Sequence, residues 1–140
     1  MQLAPTSAAP IEETRFVEMI FPEQANHYGT LFGGNALSLM GKAAFIAATR
    51  RARQSVVMAS SDKIQFREPI KVGELVARVE RVGRSSMTVA VDMIREDLIS
   101  GQRKSAVHGT FEMVAVNELG RPVPIANQMA ADHIKEEITS

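Results

Sequence analysis

The 140-residue chain has no cysteine, no block of like charge and no apolar run long enough to span a bilayer. The first absence removes thiol nucleophiles, disulfides and cysteine-ligated zinc. His27, His108 and His133 are scattered, so no clustered ligand set points to a metal. Sixteen basic residues balance sixteen acidic ones, and the densest basic patch is only Arg50-Arg51-Ala52-Arg53. That argues against nucleic acid as a partner while leaving room for a phosphate-bearing small molecule. The N-terminal MQLAPTSAAP lacks a basic stretch followed by an apolar one, so no secretory signal is expected there. The stretch 35–48 is too short to cross a membrane and is broken by Lys42. A cytoplasmic protein with no membrane span is expected, and 140 residues suffice for one core without staples.

What is present concentrates in Asn26-His27-Tyr28-Gly29-Thr30-Leu31-Phe32-Gly33-Gly34 and the nearly uncharged NALSLMGKAAFIAA that follows, 35–48. Paired glycines allow close backbone approach to a ligand. A helix beginning there offers unpaired N–H groups and the positive end of its dipole to a developing oxyanion. A helix apolar on almost every side is expected to be wrapped by other structure.

The pattern predicts one helix followed by a run of strands. Thr14 to Phe21 reads as a first strand ending at Pro22, and the helix closes near 50–54 with basic residues at its negative end. Ser55 to Phe66 reads as a second, long strand, and Leu75 to Val82 alternates as a third. Gly83-Arg84-Ser85-Ser86 is a turn, and Met87, Val89, Val91 and Met93 then alternate cleanly. Leu98 to Gln102 reads as a hairpin loop, and Lys104 to Val116 as the last strand. Expected boundaries are a flexible tail over 1–11, one domain over 12–124, and a C-terminal tail over 125–140 with a helical stretch from Ala126 to Ile138. One apolar helix with about five antiparallel strands is an α+β layout, a curved sheet wrapped around a central helix. Ile94, Val114 and Val116 fall on the otherwise polar face, so self-association to at least a dimer is expected.

Several motifs occur in a fixed order: Asn26-x-x-Gly29-x-x-x-Gly33-Gly34, Leu39-Met40, Ser61-Asp62-x-Ile64-x-Phe66, Pro69-x-x-x-Gly73, Gly83-x-x-Ser86-Met87, and Phe111-x-Met113-Val114-x-Val116 with Gly120-x-Pro122. Together, over about 16–124, they resemble the hotdog-fold acyl-CoA thioesterases of the bacterial short-chain and brain-type branch. The resemblance implies hydrolysis of an acyl-CoA to free acid and CoA, with CoA as part of the substrate and no separate cofactor. It also implies a site shared across a homodimer that assembles further into a hexamer. Asn26 matches the family's active-site asparagine, and the backbone N–H at Gly34, beside Gly33, would polarise the thioester carbonyl. Where the family usually carries a carboxylate just after the Leu-Met pair, this chain has Gly41, then Lys42. Losing a general base typically costs about 10²–10⁴ in rate.

Other residues must then be weighed. Asp62, with Ser61 before it, lies on the strand after the helix, where relatives also show an acid; its plainer role is structural or interfacial. His27, beside Asn26, is a candidate base, since an imidazole can exchange a proton near neutral pH, yet a lone loop histidine is more often simply hydrogen-bonded. Arg84, Ser85 and Ser86 occupy a turn where related proteins meet CoA, and they suit phosphate oxygens; an ordinary hairpin turn is the competing reading. Met40, Met58 and Phe45 have the character of an acyl tunnel or of plain core. An acyl-CoA sensor or carrier without hydrolysis is the alternative function. A hotdog hydratase ranks last, because the Asn26-His27 loop lacks the aspartate that such enzymes pair with histidine.

Overall fold

The computed structural model describes residues 13–19, 25–27 and 33–125. The expected tails, including the helical stretch after Ala126, lie outside the described residues. One helix and five strands follow in the order β1 (Glu13–Met19), α1 (Gly33–Ala52), β2 (Val56–Phe66), β3 (Val72–Val82), β4 (Ser86–Glu96) and β5 (Arg103–Ala115). Among the described residues, the expected helix and five strands are present. Their ends differ by a few residues, because Val72 and Gly73 already pair with Met19 and Glu18, and Ile94 to Glu96 still pair with β5.

The strands form one antiparallel sheet in the order β1-β3-β4-β5-β2. The two strands flanking α1 in sequence are thus the two edges of the sheet. To connect them, α1 must cross its full width, and it touches all five strands. Its small side chains make this crossing close: Ala36, Ala43, Ala44, Ala47, Ala48 and Ala52 are all buried. Leu39 and Met40 add bulk, and alternate residues of β4 and β5 meet them, among them Met87, Val89, Met93, Phe111 and Met113. Full burial of each large apolar side chain contributes about 1.5–3 kcal/mol relative to exposure. The α+β expectation of a sheet wrapped on a central helix holds.

The outer face is held differently. Arg78, Glu13, Arg15, Glu74, Arg103 and Glu96 form a chain of ion pairs across β3, β1, β5 and β4. Ile94, Val114 and Val116 are each partly covered. The large uncovered apolar surface lies elsewhere, along one face of α1 and the β2 edge. Leu37 and Phe45 on α1, and Val57, Met58 and Phe66 on β2, are each at least 40% exposed. Nine of the eleven β2 residues are exposed, so this edge of the chain is unfinished. The expectation that α1 is wrapped on nearly every side is met by this chain on one side only.

Candidate active site

Glycines open α1 at Gly33 and Gly34, and no acidic residue stands in its first turn. The first N–H groups of a helix have no partner within it, and here no carboxylate of that turn neutralises the dipole. Gly34 is exposed and Gly33 half-buried. A Cβ at Gly33 would stand 3.8 Å from the Phe66 ring, so this aromatic on the β2 edge borders the helix start. Asn26 is half-buried and His27 exposed; both make polar contacts. Residues 28–32 between them and the helix lie outside the described residues.

Asp62 is in register with Thr110, whose neighbours Phe111 and Gly109 face the core. Directly opposed residues share a sheet face, so Asp62 stands on the outer face, away from α1. Its carboxylate accepts the N–H of Lys63 at 2.8 Å, and Lys63 is left-handed at φ 54°. The pair therefore builds a bulge in β2, one of two register shifts in that strand. Ser61, opposite buried Phe111, faces the helix side but is exposed.

Arg84, Ser85 and Ser86 lie at the other end of the sheet from Phe66. The Gly83 N–H donates to the Ser86 carbonyl at 2.7 Å, Ala115 donates to Ser85, and Ile125 donates to Arg84, each at 2.8 Å. The turn is fixed by its backbone, and the Arg84 side chain projects from an exposed residue. Phe66 pairs with Val107 and hence Met93, whereas Val57 pairs with Val114 and hence Ser86. Within one chain, the helix start at Gly33 and the Arg84–Ser86 turn are thus held apart.

Gly41 belongs with the second group. A Cβ built on Gly41 would stand 3.0 Å from the Met58 methyl, closer than ordinary van der Waals contact. Met58 is in register with Met113, which pairs with Met87. Three methionines therefore lie side by side on the helix-facing side of β2, β5 and β4. Met40 is fully buried core, whereas Met58 and Phe45 are half-exposed. The sequence leaves these three unresolved between tunnel and core, and the structure separates them. The readable signal was the spacing Leu37, Gly41, Phe45, Thr49, one stripe at every fourth residue of α1. Beside that stripe runs an open groove of about 640 Å³, bounded by Phe45, Thr49, Arg53, Gln54, Ser55 and Val56. Thr49 Oγ1 is buried without a hydrogen-bond partner among the described residues.

Among the described residues no three histidine, aspartate or glutamate side chains cluster. The described helix is not long and apolar enough to cross a membrane. Arg50 of the basic patch donates to Thr14 Oγ1 at 3.0 Å, tying the end of α1 to β1.

Comparison with known proteins places this geometry. The family profile of the Thioesterase superfamily matches residues 28–101. An uncharacterised acyl-CoA thioester hydrolase of Bacillus subtilis is 37% identical over 124 residues, covering 81% of this chain and 72% of that protein. An acyl-CoA hydrolase structure from Agrobacterium tumefaciens has 43% identity and a TM-score of 0.75 over 88% of this chain. This chain spans only about half, 49%, of the Agrobacterium chain. A Staphylococcus aureus acyl-CoA hydrolase, solved with butyryl coenzyme A, coenzyme A and coenzyme A disulfide, has 26% identity. Its TM-score is 0.76, over 91% of this chain and 92% of its own. The fold, the glycine-led helix and these matches agree, and the chain belongs to the thioesterase superfamily.

Proposed function

We propose that the protein is an acyl-CoA thioester hydrolase whose site is completed by a second copy of the chain. The observation that carries this is the separation of the site residues along the β2 edge. Gly33 and Phe66 lie toward one end of that edge, and Gly41, Met58 and the Arg84–Ser86 turn toward the other. A two-fold dimer that pairs β2 with its copy runs the two strands antiparallel. The Met58 end of one subunit then lies against the Phe66 end of the other. Asn26 and the helix start would thereby face Gly41 and Arg84 of the partner subunit. Such pairing covers the exposed edge and its apolar side chains in the same step. Assembly of dimers into a hexamer is the further expectation, since a hexameric acyl-CoA thioesterase and a hexameric thioesterase of Yersinia pestis share the fold.

In this reading water attacks the thioester carbonyl carbon. The oxyanion that forms accepts hydrogen bonds from the N–H groups at Gly34, where removal of one such donor typically costs about 10²–10³ in rate. The carbon–sulfur bond then breaks, the CoA thiolate leaves, and the water's protons go to the base and to solvent. Asn26 orients the water or the thioester. His27, next to it, is the base we assign, with Asp62 the competing candidate. Arg84, Ser85 and Ser86 would receive CoA phosphate oxygens, and Gly33 and Ser61 would border the substrate. CoA is part of the substrate, so no separate cofactor is required, and the cytoplasm is the compartment we propose.

Alanine variants of the Staphylococcus aureus hydrolase include an asparagine, an aspartate fifteen residues later and a threonine seventeen beyond that. Counted from Asn26, the same intervals fall on Gly41 and Met58. By this count, Gly41 and Met58 would correspond to that enzyme's acid and hydroxyl.

Release of free CoA from acyl-CoAs of short, long and aryl type, by wild type and Asn26→Ala, tests the function. Turnover that collapses in the variant supports a thioesterase. Retained acyl-CoA binding with no turnover on any substrate points instead to a sensor or carrier.

A further inference from the structure

We infer that Gly41 and Met58 act as one specificity unit: the Met58 methyl fills the volume that any side chain at 41 would require, giving this part of the site an apolar wall. The inference rests on the thioesterase reading for its catalytic consequence, but its packing basis stands apart from it.

The geometry is direct. The Met58 methyl lies 3.0 Å from where a Cβ on Gly41 would be, tighter than side chains normally tolerate. Methionine reaches this point because Met58 is in register with buried Met113 and shares its helix-facing side of the sheet. Its inward neighbours Met113 and Met87 are fully buried, so the row has no slack on that side. Its other side is the exposed edge, where it retains freedom only while that edge is unpaired. Pairing of β2 with a second copy would clamp the thioether against the helix. Gly41 itself is costly in mid-helix, since glycine loses more backbone freedom than alanine. A flexible, apolar side chain filling the notch is the compensation.

The consequence concerns the reaction. A carboxylate at 41 would displace the Met58 methyl and sit against a thioether rather than a hydrogen-bond donor. Burial without such a partner raises a carboxyl pKa and disfavours the ionised base. A carboxylate at 41 and a full-length side chain at 58 therefore compete for one space, from which the methionine methyl has to shift. With Gly41 in place the water is activated from another element, and the wall favours an apolar group.

Two double-substitution cycles on the assembled protein test this. The first reads thermal unfolding. In the wild-type background Gly41→Ala gains nothing or lowers Tm, while in a Met58→Ala background the same change raises Tm by about 2–5 °C. An equal rise in both backgrounds overturns the unit. The second reads CoA release. Gly41→Asp and Met58→Thr together raise turnover at least about tenfold beyond the product of their single effects. Turnover of the double variant equal to that product, with acyl-CoA still bound, overturns the catalytic consequence. If no variant binds any acyl-CoA, the thioesterase reading fails, and the unfolding cycle alone decides the packing claim.

Discussion

Ile64, on the bulged edge strand, reaches over Gly109 of its neighbour and occupies the space where a Cβ on that glycine would lie; the Met40 methyl closes the same space at 3.4 Å. Gly109 thus lets the bulge at Lys63 turn inward and seat Ile64 on the helix. Gly109→Ala is expected to cost about 1–3 kcal/mol by overpacking. Urea unfolding would register this as a lower midpoint with an unchanged slope. In an Ile64→Ala background the penalty should largely vanish, because the obstructing atoms are gone.

That glycine also shows what could be read in advance. Apolar residues alternate over most of β3, β4 and β5, so their faces and their order in the chain were legible. The helix was legible too, because an uncharged stretch opened by paired glycines has few other readings. The β2 edge was not. Its two bulges break the two-residue period, so the sequence left Asp62 open between a catalytic and a structural or interfacial role; its register with Thr110 puts it on the outer face. Met58 and Phe45 read equally well as core, since burial in one chain and burial between two chains leave the same apolar signature. Nor does spacing reveal that Gly33 and Gly41 lie toward opposite ends of one edge. That separation appears only with the sheet order.

Dimerisation has a direct handle in Phe45, 48% exposed on the uncovered face of α1. Phe45→Glu removes apolar contact area and places a charge where a partner helix face would pack. Sedimentation or light scattering should show the assembly shifting to monomer, while the far-ultraviolet circular dichroism stays that of the folded chain. Turnover should fall at least about tenfold with it if, as proposed, each site draws on both subunits. Full activity in a monomer would contradict the shared site.

Asp62 and His27 can be told apart by rate. Asp62 holds the Lys63 N–H on the outer face, so Asp62→Asn keeps an acceptor there and should cost less than about tenfold in kcat. Loss of a true general base costs about 10²–10⁴, and His27→Gln is expected in that range. A loss that large in the Asp62 variant, with His27→Gln nearly silent, would reverse the assignment. Steady-state CoA release at saturating substrate measures both.

The outer ion-pair chain carries a pH dependence with a definite sign. Arg78 first, and Arg15 after it, donate to the Glu13 carboxylate and hold it below its ordinary value of 4.5. A carboxyl whose folded pKa is depressed contributes stability that is present above its unfolded pKa and is lost as pH falls through the folded one. Wild type should therefore melt above Glu13→Gln at neutral pH, and the two curves should converge as pH drops below 4.5. Both arginines are exposed and Glu13 is partly so, so the gap will be small and will narrow further in high salt. A gap that persists unchanged into strong acid would mean that Glu13 acts on β1 through packing of its side chain rather than through its charge.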